Sequence, residues 1–152
     1  MIKRLSFLLA MVFGLASCNS ESASSNIHIS NGDASAEVGQ AANVRSIGSL
    51  EAKALLEEQG DIIILDVRTP KEYIAGHLIG AQHIDFYAPD FSKQLQALDP
   101  DKAYVVYCAV GGRSSKAAEM MKKIGFKQVY EASEGFPALE KSGIPVEEGS
   151  QK

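Results

Sequence analysis

One cysteine in this chain stands where a thiol becomes a nucleophile. Tyr104-Val105-Val106-Tyr107 reads as a short buried strand that stops at Cys108. Ala109, Val110, Gly111 and Gly112 follow as a tight loop. A run of helix formers begins at Arg113-Ser114 and ends at Gly125, a glycine suited to a helix C-cap. A cysteine between a strand and a helix N-terminus meets converging backbone N–H groups and about half a positive charge from the helix dipole. Those surroundings favour an anion, either the thiolate itself or a group bound beside it. They lower a thiol pKa from about 8.5 into roughly the 3.5–7.5 range. Arg113 adds a fixed cation at the far end of the loop. The alternative is an inert structural cysteine closing a strand. The Gly-Gly pair, the arginine and the helix start behind it favour the reactive thiol.

The elements around this loop alternate. Ser49 is placed to cap a helix over 50–58, closed by Gly60. Ile62-Ile63-Ile64-Leu65 is an unbroken apolar run, which suits a parallel strand covered on both faces. Thr69-Pro70-Lys71-Glu72 has capping-box spacing with Pro70 at the first helical position, and that helix ends at Gly76. A weaker strand over 81–86, a helix over 90–98, a last strand over 128–131 and a short helix over 134–141 complete the pattern. Pro137 lies inside the last helix, although proline is accommodated only in a helix's first turn. Strands alternating with helices predict an α/β fold, a parallel sheet of about five strands with helices on both faces. Sites in such sheets lie at the carboxyl ends of the strands. Those ends carry Asp66-Val67-Arg68, Phe86-Tyr87, Cys108 to Arg113, and Ser133-Glu134-Gly135-Phe136. The expectation is a pocket with one nucleophile, two arginines and an apolar rim.

The chain has 152 residues, 45% hydrophobic and 22% charged, enough for one globular domain with extensions. Its net charge of −4 argues against nucleic-acid binding through a general basic field. Lys3 and Arg4 precede an apolar run from Leu5 to Ala16, which is too short to span a bilayer and has the shape of a signal peptide, assigned to 1–17. Leu15-Ala16-Ser17-Cys18 resembles the bacterial lipobox, in which the cysteine carries lipid and becomes the new N-terminus. By that resemblance Cys18 is the lipidation site and the membrane is reached through the lipid anchor only. Asn19 in place of Asp argues against retention in the inner membrane, so the expected location is the periplasmic face of the outer membrane. Residues 18–43 are Ser-, Ala-, Asn- and Gly-rich and read as a flexible tether; the folded domain is assigned to 44–148 and a tail to 149–152. With Cys18 lipidated, Cys108 has no intrachain partner, and an exported protein with one unpaired thiol suggests a thiol that does chemistry. The histidines at 28, 77 and 83 are scattered, so no metal and no cofactor are expected. No dimer signature is visible, and a monomer is expected.

Several motifs together resemble the rhodanese-like domains. Asp66-Val67-Arg68-Thr69-Pro70-Lys71-Glu72-Tyr73 with Gly76-His77-Leu78-Ile79-Gly80-Ala81 looks like that family's first signature. Cys108-Ala109-Val110-Gly111-Gly112-Arg113-Ser114 is similar to its active-site loop. Gly125-Phe126, Val129-Tyr130, Gly135-Phe136 and Gly143-Ile144-Pro145-Val146 continue the match, which covers roughly 45–147. The resemblance implies a single rhodanese-like domain and a sulfurtransferase. Cys108 would take a sulfane sulfur from a small donor as a persulfide and pass it to a nucleophilic acceptor, small or protein. Ala109, Val110, Gly111, Gly112, Arg113 and Ser114 would form the substrate-binding loop. Asp66 and Arg68 look like the family's supporting pair, and the residues themselves read as a strand-end ion pair holding two loops. His77 and His83 read as structural. Thiosulfate-active members can carry basic residues after the cysteine; here Ala109 and Val110 stand there, which favours polysulfide or a low-molecular-weight persulfide as donor.

Two other functions use similar parts. Cysteine-dependent phosphatases and arsenate reductases hold an oxyanion in a Cys…Arg loop with one residue more than the four between Cys108 and Arg113. A rhodanese-like domain can also act without free turnover, as a sulfur carrier or interaction module for one protein partner.

Overall fold

A computed structural model of the chain describes residues 43–149. The signal peptide assigned to 1–17, the lipidation site Cys18, the tether up to residue 42 and the tail residues 150–152 lie outside the described residues.

The elements run in the order β1 (Asn43–Ile47), α1 (Ser49–Glu58), β2 (Ile63–Asp66), α2 (Pro70–Ala75), β3 (His77–Leu78), β4 (Gln82–His83), α3 (Phe91–Gln96), β5 (Ala103–Tyr107), α4 (Gly112–Lys123), β6 (Gln128–Ala132), α5 (Phe136–Lys141) and β7 (Val146–Glu147). Five strands form one all-parallel sheet in the order β1-β6-β5-β2-β4. β3 and β7 make a separate antiparallel pair. The expected five-stranded parallel sheet with helices is therefore the architecture of the protein.

Alternation along the strands divides the core. Tyr104, Val106 and Cys108 of the β5 segment pack with Ala117, Ala118 and Met121 of α4 and with Phe91 and Leu95 of α3. Val105 and Tyr107 point the other way, into a second cluster with Ala52 and Leu55 of α1 and Leu139 of α5. Leu65, Val105, Val106 and Met121 are fully buried. Each such side chain contributes roughly 1.5–3 kcal/mol of hydrophobic stabilisation. The unbroken apolar runs at β2 and β5 thus reflect a sheet covered on both faces.

Several boundaries differ from the sequence expectation, each for a local reason. Gly48, not Ser49, is the N-cap of α1; the Ser49 N–H instead donates to Glu134 Oε2 at 2.6 Å. A carboxylate from across the fold does the work expected of the serine hydroxyl. α5 starts at Phe136, two residues later than expected, so Pro137 falls in the first turn, where no N–H is missed. β4 covers only Gln82–His83, because a turn closed by Ala88 N–H to Asp85 O lifts Phe86 and Tyr87 out of the sheet. β1 was not expected: its residues are mostly exposed, and it is an edge strand held in register by β6 alone. Gly149 belongs to the packed structure, with its N–H donating to Ile74 O at 3.0 Å.

Candidate active site

β5 delivers Cys108 to the carboxyl end of the sheet centre, between β2 and β6. The backbone then turns back over the thiol. Gly111 makes that turn at φ 87° and serves as N-cap of α4. A Cβ there would lie 2.2 Å from Ser133 O, so both the left-handed backbone and the close approach demand glycine. Gly135 packs from the other side at φ 76°; a Cβ on it would lie 2.1 Å from Ala109 O. Between them, Phe136 N–H donates to Cys108 O at 2.8 Å. The β6–α5 connection therefore clamps the loop. Gly112 has open space where a Cβ would go, so only the first of the paired glycines is required by the geometry.

The thiol of Cys108 is free and buried, with the residue 1% exposed. Burial pushes its pKa up. The N–H and hydroxyl of Ser114 and the N–H groups of Val110 and Arg113 push it down, and together they win, leaving the thiol below its ordinary value. Ser114 Oγ lies 3.6 Å from Sγ. The loop and the first turn of α4 thus solvate a sulfur anion with backbone.

Arg113 does not stand as an open cation. It forms a two-point pair with Glu72 of α2, at 2.8 Å and 2.7 Å, and its guanidinium lies 5.7 Å from the centre of the Tyr87 ring. Glu72 also accepts from the N–H and hydroxyl of Thr69, and its own N–H donates to Thr69 Oγ1, which completes the capping box. The hydrogen bonds from Arg113, with those from Thr69, outweigh burial and hold the Glu72 carboxyl at a pKa of about 2. The arginine therefore ties the loop to the start of α2, and much of its charge is balanced.

Asp66 and Arg68 lie behind the site. Both side chains are buried, and the guanidinium meets the carboxylate at 2.6 Å and 2.9 Å. Arg68 also donates to Gly76 O at 2.6 Å and stacks on Phe136, 4.0 Å from the ring centre. The pair joins the end of β2 to the end of α2 and to α5. His77 Nδ1 meets Tyr73 O at 3.0 Å, and His83 Nε2 meets Arg68 O at 2.8 Å. Both of these histidines are engaged with backbone.

A cavity of about 570 Å³ opens over Cys108. Phe86, Tyr87 and Val110 give it an apolar wall, while Arg113 and Lys116 supply its cations. Tyr87 and Val110 are 67% and 80% exposed at the rim. The expectation of two arginines in the pocket is corrected here. Arg68 is turned inward by Asp66 and the Gly76 carbonyl, and the second cation is Lys116. Sequence reasoning missed Glu72 as a site residue, seeing only its capping role. It also passed over Lys116, one turn into α4 on the side of Arg113. Among the described residues no group of three or more His, Cys, Asp or Glu side chains could hold a metal ion.

A model of the family described as rhodanese-like domain matches residues 49–142. A thiosulfate sulfurtransferase GlpE from Pseudomonas fluorescens is 36% identical over 97 residues, which cover 64% of this chain and 85% of that one. A probable adenylyltransferase/sulfurtransferase MoeZ from Mycobacterium tuberculosis is 31% identical over 109 residues, 72% of this chain and 28% of that one. Among solved structures, a rhodanese-like domain protein from Staphylococcus aureus superposes with a TM-score of 0.60 at 28% identity, covering 70% of this chain and 99% of that one. A rhodanese-related protein from Thermoplasma volcanium gives 0.59 at 29% identity, covering 68% and 97%. With its cysteine cradled between a parallel strand and a helix N-terminus, this chain belongs to the rhodanese-like domain family.

Proposed function

We propose that this protein is a thiosulfate-sulfurtransferase-like enzyme that moves a sulfane sulfur through a persulfide on Cys108. The observation that carries this reading is the buried thiol, held below its ordinary pKa by the N–H groups of Val110, Arg113 and Ser114 and opening into the 570 Å³ cavity. The Cys108 thiolate attacks the sulfane sulfur of the donor. A new S–S bond forms, the donor's own bond to that sulfur breaks, and the leaving group departs with the electron pair. The persulfide's outer sulfur then receives an acceptor nucleophile, and Cys108 leaves as thiolate. The loop N–H groups stabilise the anion at both stages. The loop between Cys108 and Arg113 holds four residues, and Arg113 is engaged by Glu72, so a single sulfur atom suits it better than a tetrahedral oxyanion.

The donor is proposed to be a polysulfide or low-molecular-weight persulfide. Phe86, Tyr87 and Val110 wall the cavity with apolar surface, and Lys116 is the cation left to meet a donor's charge. The exposed Tyr87 and Val110 rim also favours a second reading, delivery of the sulfur to a protein acceptor by a carrier that turns over small acceptors slowly. The proposed setting is a monomeric exported lipoprotein anchored through Cys18 at the periplasmic face of the outer membrane. Thiocyanate formation from cyanide tests the enzyme reading, with thiosulfate and polysulfide offered separately. Turnover that vanishes in Cys108→Ser and runs faster on polysulfide is the expected result. A wide preference for thiosulfate would overturn the donor proposal. No turnover with a thiol still open to alkylation would favour the carrier.

A further inference from the structure

Behind the loop lies a carboxylate for which sulfur transfer, as described, has no use. β6 carries Glu131 in register with Val106 of β5 and Ser46 of β1, facing α4 beside the cluster that holds Cys108. It is 5% exposed. Charged side chains are almost never buried so deeply unless paired. Among the described residues no lysine or arginine forms an ion pair with it. Its two oxygens meet hydroxyls instead: Oε2 with Ser46 Oγ at 2.9 Å and Oε1 with Ser114 Oγ at 2.7 Å.

Ser114 Oγ is the shared point. It lies 2.9 Å from Gly111 O and 3.6 Å from Cys108 Sγ, besides its contact with Glu131. A hydroxyl has one proton to donate. The Gly111 carbonyl, an ionised Glu131 and a Cys108 thiolate can only accept. One hydroxyl proton cannot serve both anions, so the thiol and the carboxylate compete for it. In the resting form the Cys108 S–H donates to Ser114 Oγ, and the Ser114 O–H donates to the Glu131 carboxylate. In the activated form the S–H proton has passed to Ser114 Oγ, the serine's own proton has passed to Glu131 Oε1, and the hydroxyl now donates to the thiolate. No electron is gained or lost.

We propose that Glu131 is a positioning residue that shares one proton with Cys108 through the Ser114 hydroxyl and so sets the pH at which the thiol becomes a nucleophile. The proposal rests on Cys108 being the nucleophile. Few other charges face Glu131. Arg45 of β1 and Glu119 of α4 border a cavity of about 110 Å³ on which Glu131 also opens. Arg45 is engaged by Glu51 of α1, and Arg113 of α4 by Glu72 of α2. That small cavity shares no lining residue with the Cys108 cavity. It gives the shared proton a route to water from the rear, which stays open while the donor occupies the front.

The test is the pH dependence of iodoacetamide alkylation of the full chain, in a Cys18→Ser background so that Cys108 is the sole thiol. Glu131→Gln removes a buried negative charge and leaves the Ser114 proton to the thiolate. The midpoint should fall by about one pH unit, seen as roughly ten-fold faster alkylation at pH 6. In a Ser114→Ala background the same substitution should change the rate by less than about three-fold. Ser46→Ala, on the exposed edge strand, withdraws the hydroxyl that meets Glu131 Oε2 and should move the midpoint the same way by a smaller amount. That variant carries the test if Glu131→Gln does not fold. Unchanged profiles in Glu131→Gln, or in Ser46→Ala where it stands alone, would overturn the proposal. A Glu131 effect that persists in full without Ser114 would overturn the route through the hydroxyl. Alkylation needs no sulfur donor, so failure of the sulfur-transfer reading would show separately, as absent thiocyanate from a chain whose alkylation profile still shifts.

Discussion

At the scale of the residue, the site works by fixing hydrogen-bond donors around one sulfur and by keeping its charged groups occupied. Arg113 illustrates the second point. Its two-point pair with Glu72 gives the loop a rigid brace and leaves Lys116 as the cation that faces the pocket. Glu72 in turn is held near a pKa of 2, against about 4.3 for an ordinary glutamate. A carboxyl depressed in the folded state stabilises the fold above the unfolded value and loses that contribution as pH falls through the folded value. Wild type should therefore lose stability between about pH 4.3 and pH 2, measured as urea midpoints, and Glu72→Gln should lack that component. Parallel profiles in this window would mean that the pair carries no such linkage. The side chain of Glu72 is 33% exposed, so the pair is worth about 1 kcal/mol at most. Its weight in function lies in placing the loop.

At the scale of the element, the loop between β5 and α4 is held by what packs on it. Gly111→Ala places a methyl group 2.2 Å from Ser133 O and forces a side chain into a left-handed backbone. It should cost about 1–3 kcal/mol and cut sulfur transfer sharply. Gly112→Ala meets open space and should leave the thermal midpoint unchanged or raised. Equal losses in the two variants, measured by thermal unfolding and alkylation, would refute the clamp. The same loop shows what was legible in the sequence. Strand, cysteine, glycine turn and helix start could be read because each signal is local. The capping box of α2 was legible for the same reason, and it holds with both of its hydrogen bonds. What could not be read depends on register or long-range contact. Nothing local says that Glu134 caps α1, that Glu72 reaches Arg113, or that Arg68 turns away from the pocket. β3 and β7, two residues each, exist through their mutual pairing. Glu131 left one usable signal: a charge on the same alternating face as Val129, where a covered strand should be apolar.

At the scale of the whole molecule, the sheet centre supplies the nucleophile and its neighbours supply everything that tunes it. β6 brings Glu131, the β6–α5 turn brings Gly135 and Phe136, and α2 brings Glu72. Outside the described residues, the proposed anchor at Cys18 predicts incorporation of labelled palmitate by cells expressing the chain, lost in Cys18→Ser; equal labelling of the two would contradict it. The central claim concerns Cys108 and is met most directly by intact mass. The full chain, with Cys18→Ser in both wild type and variant so that Cys108 is the sole cysteine under test, is treated with polysulfide, freed of excess donor and weighed before and after reduction. The account predicts that wild type gains one sulfur atom that reduction removes, and that Cys108→Ser gains none. A wild-type chain that gains no sulfur while Cys108 still alkylates, or a variant that gains as much as wild type, would contradict it.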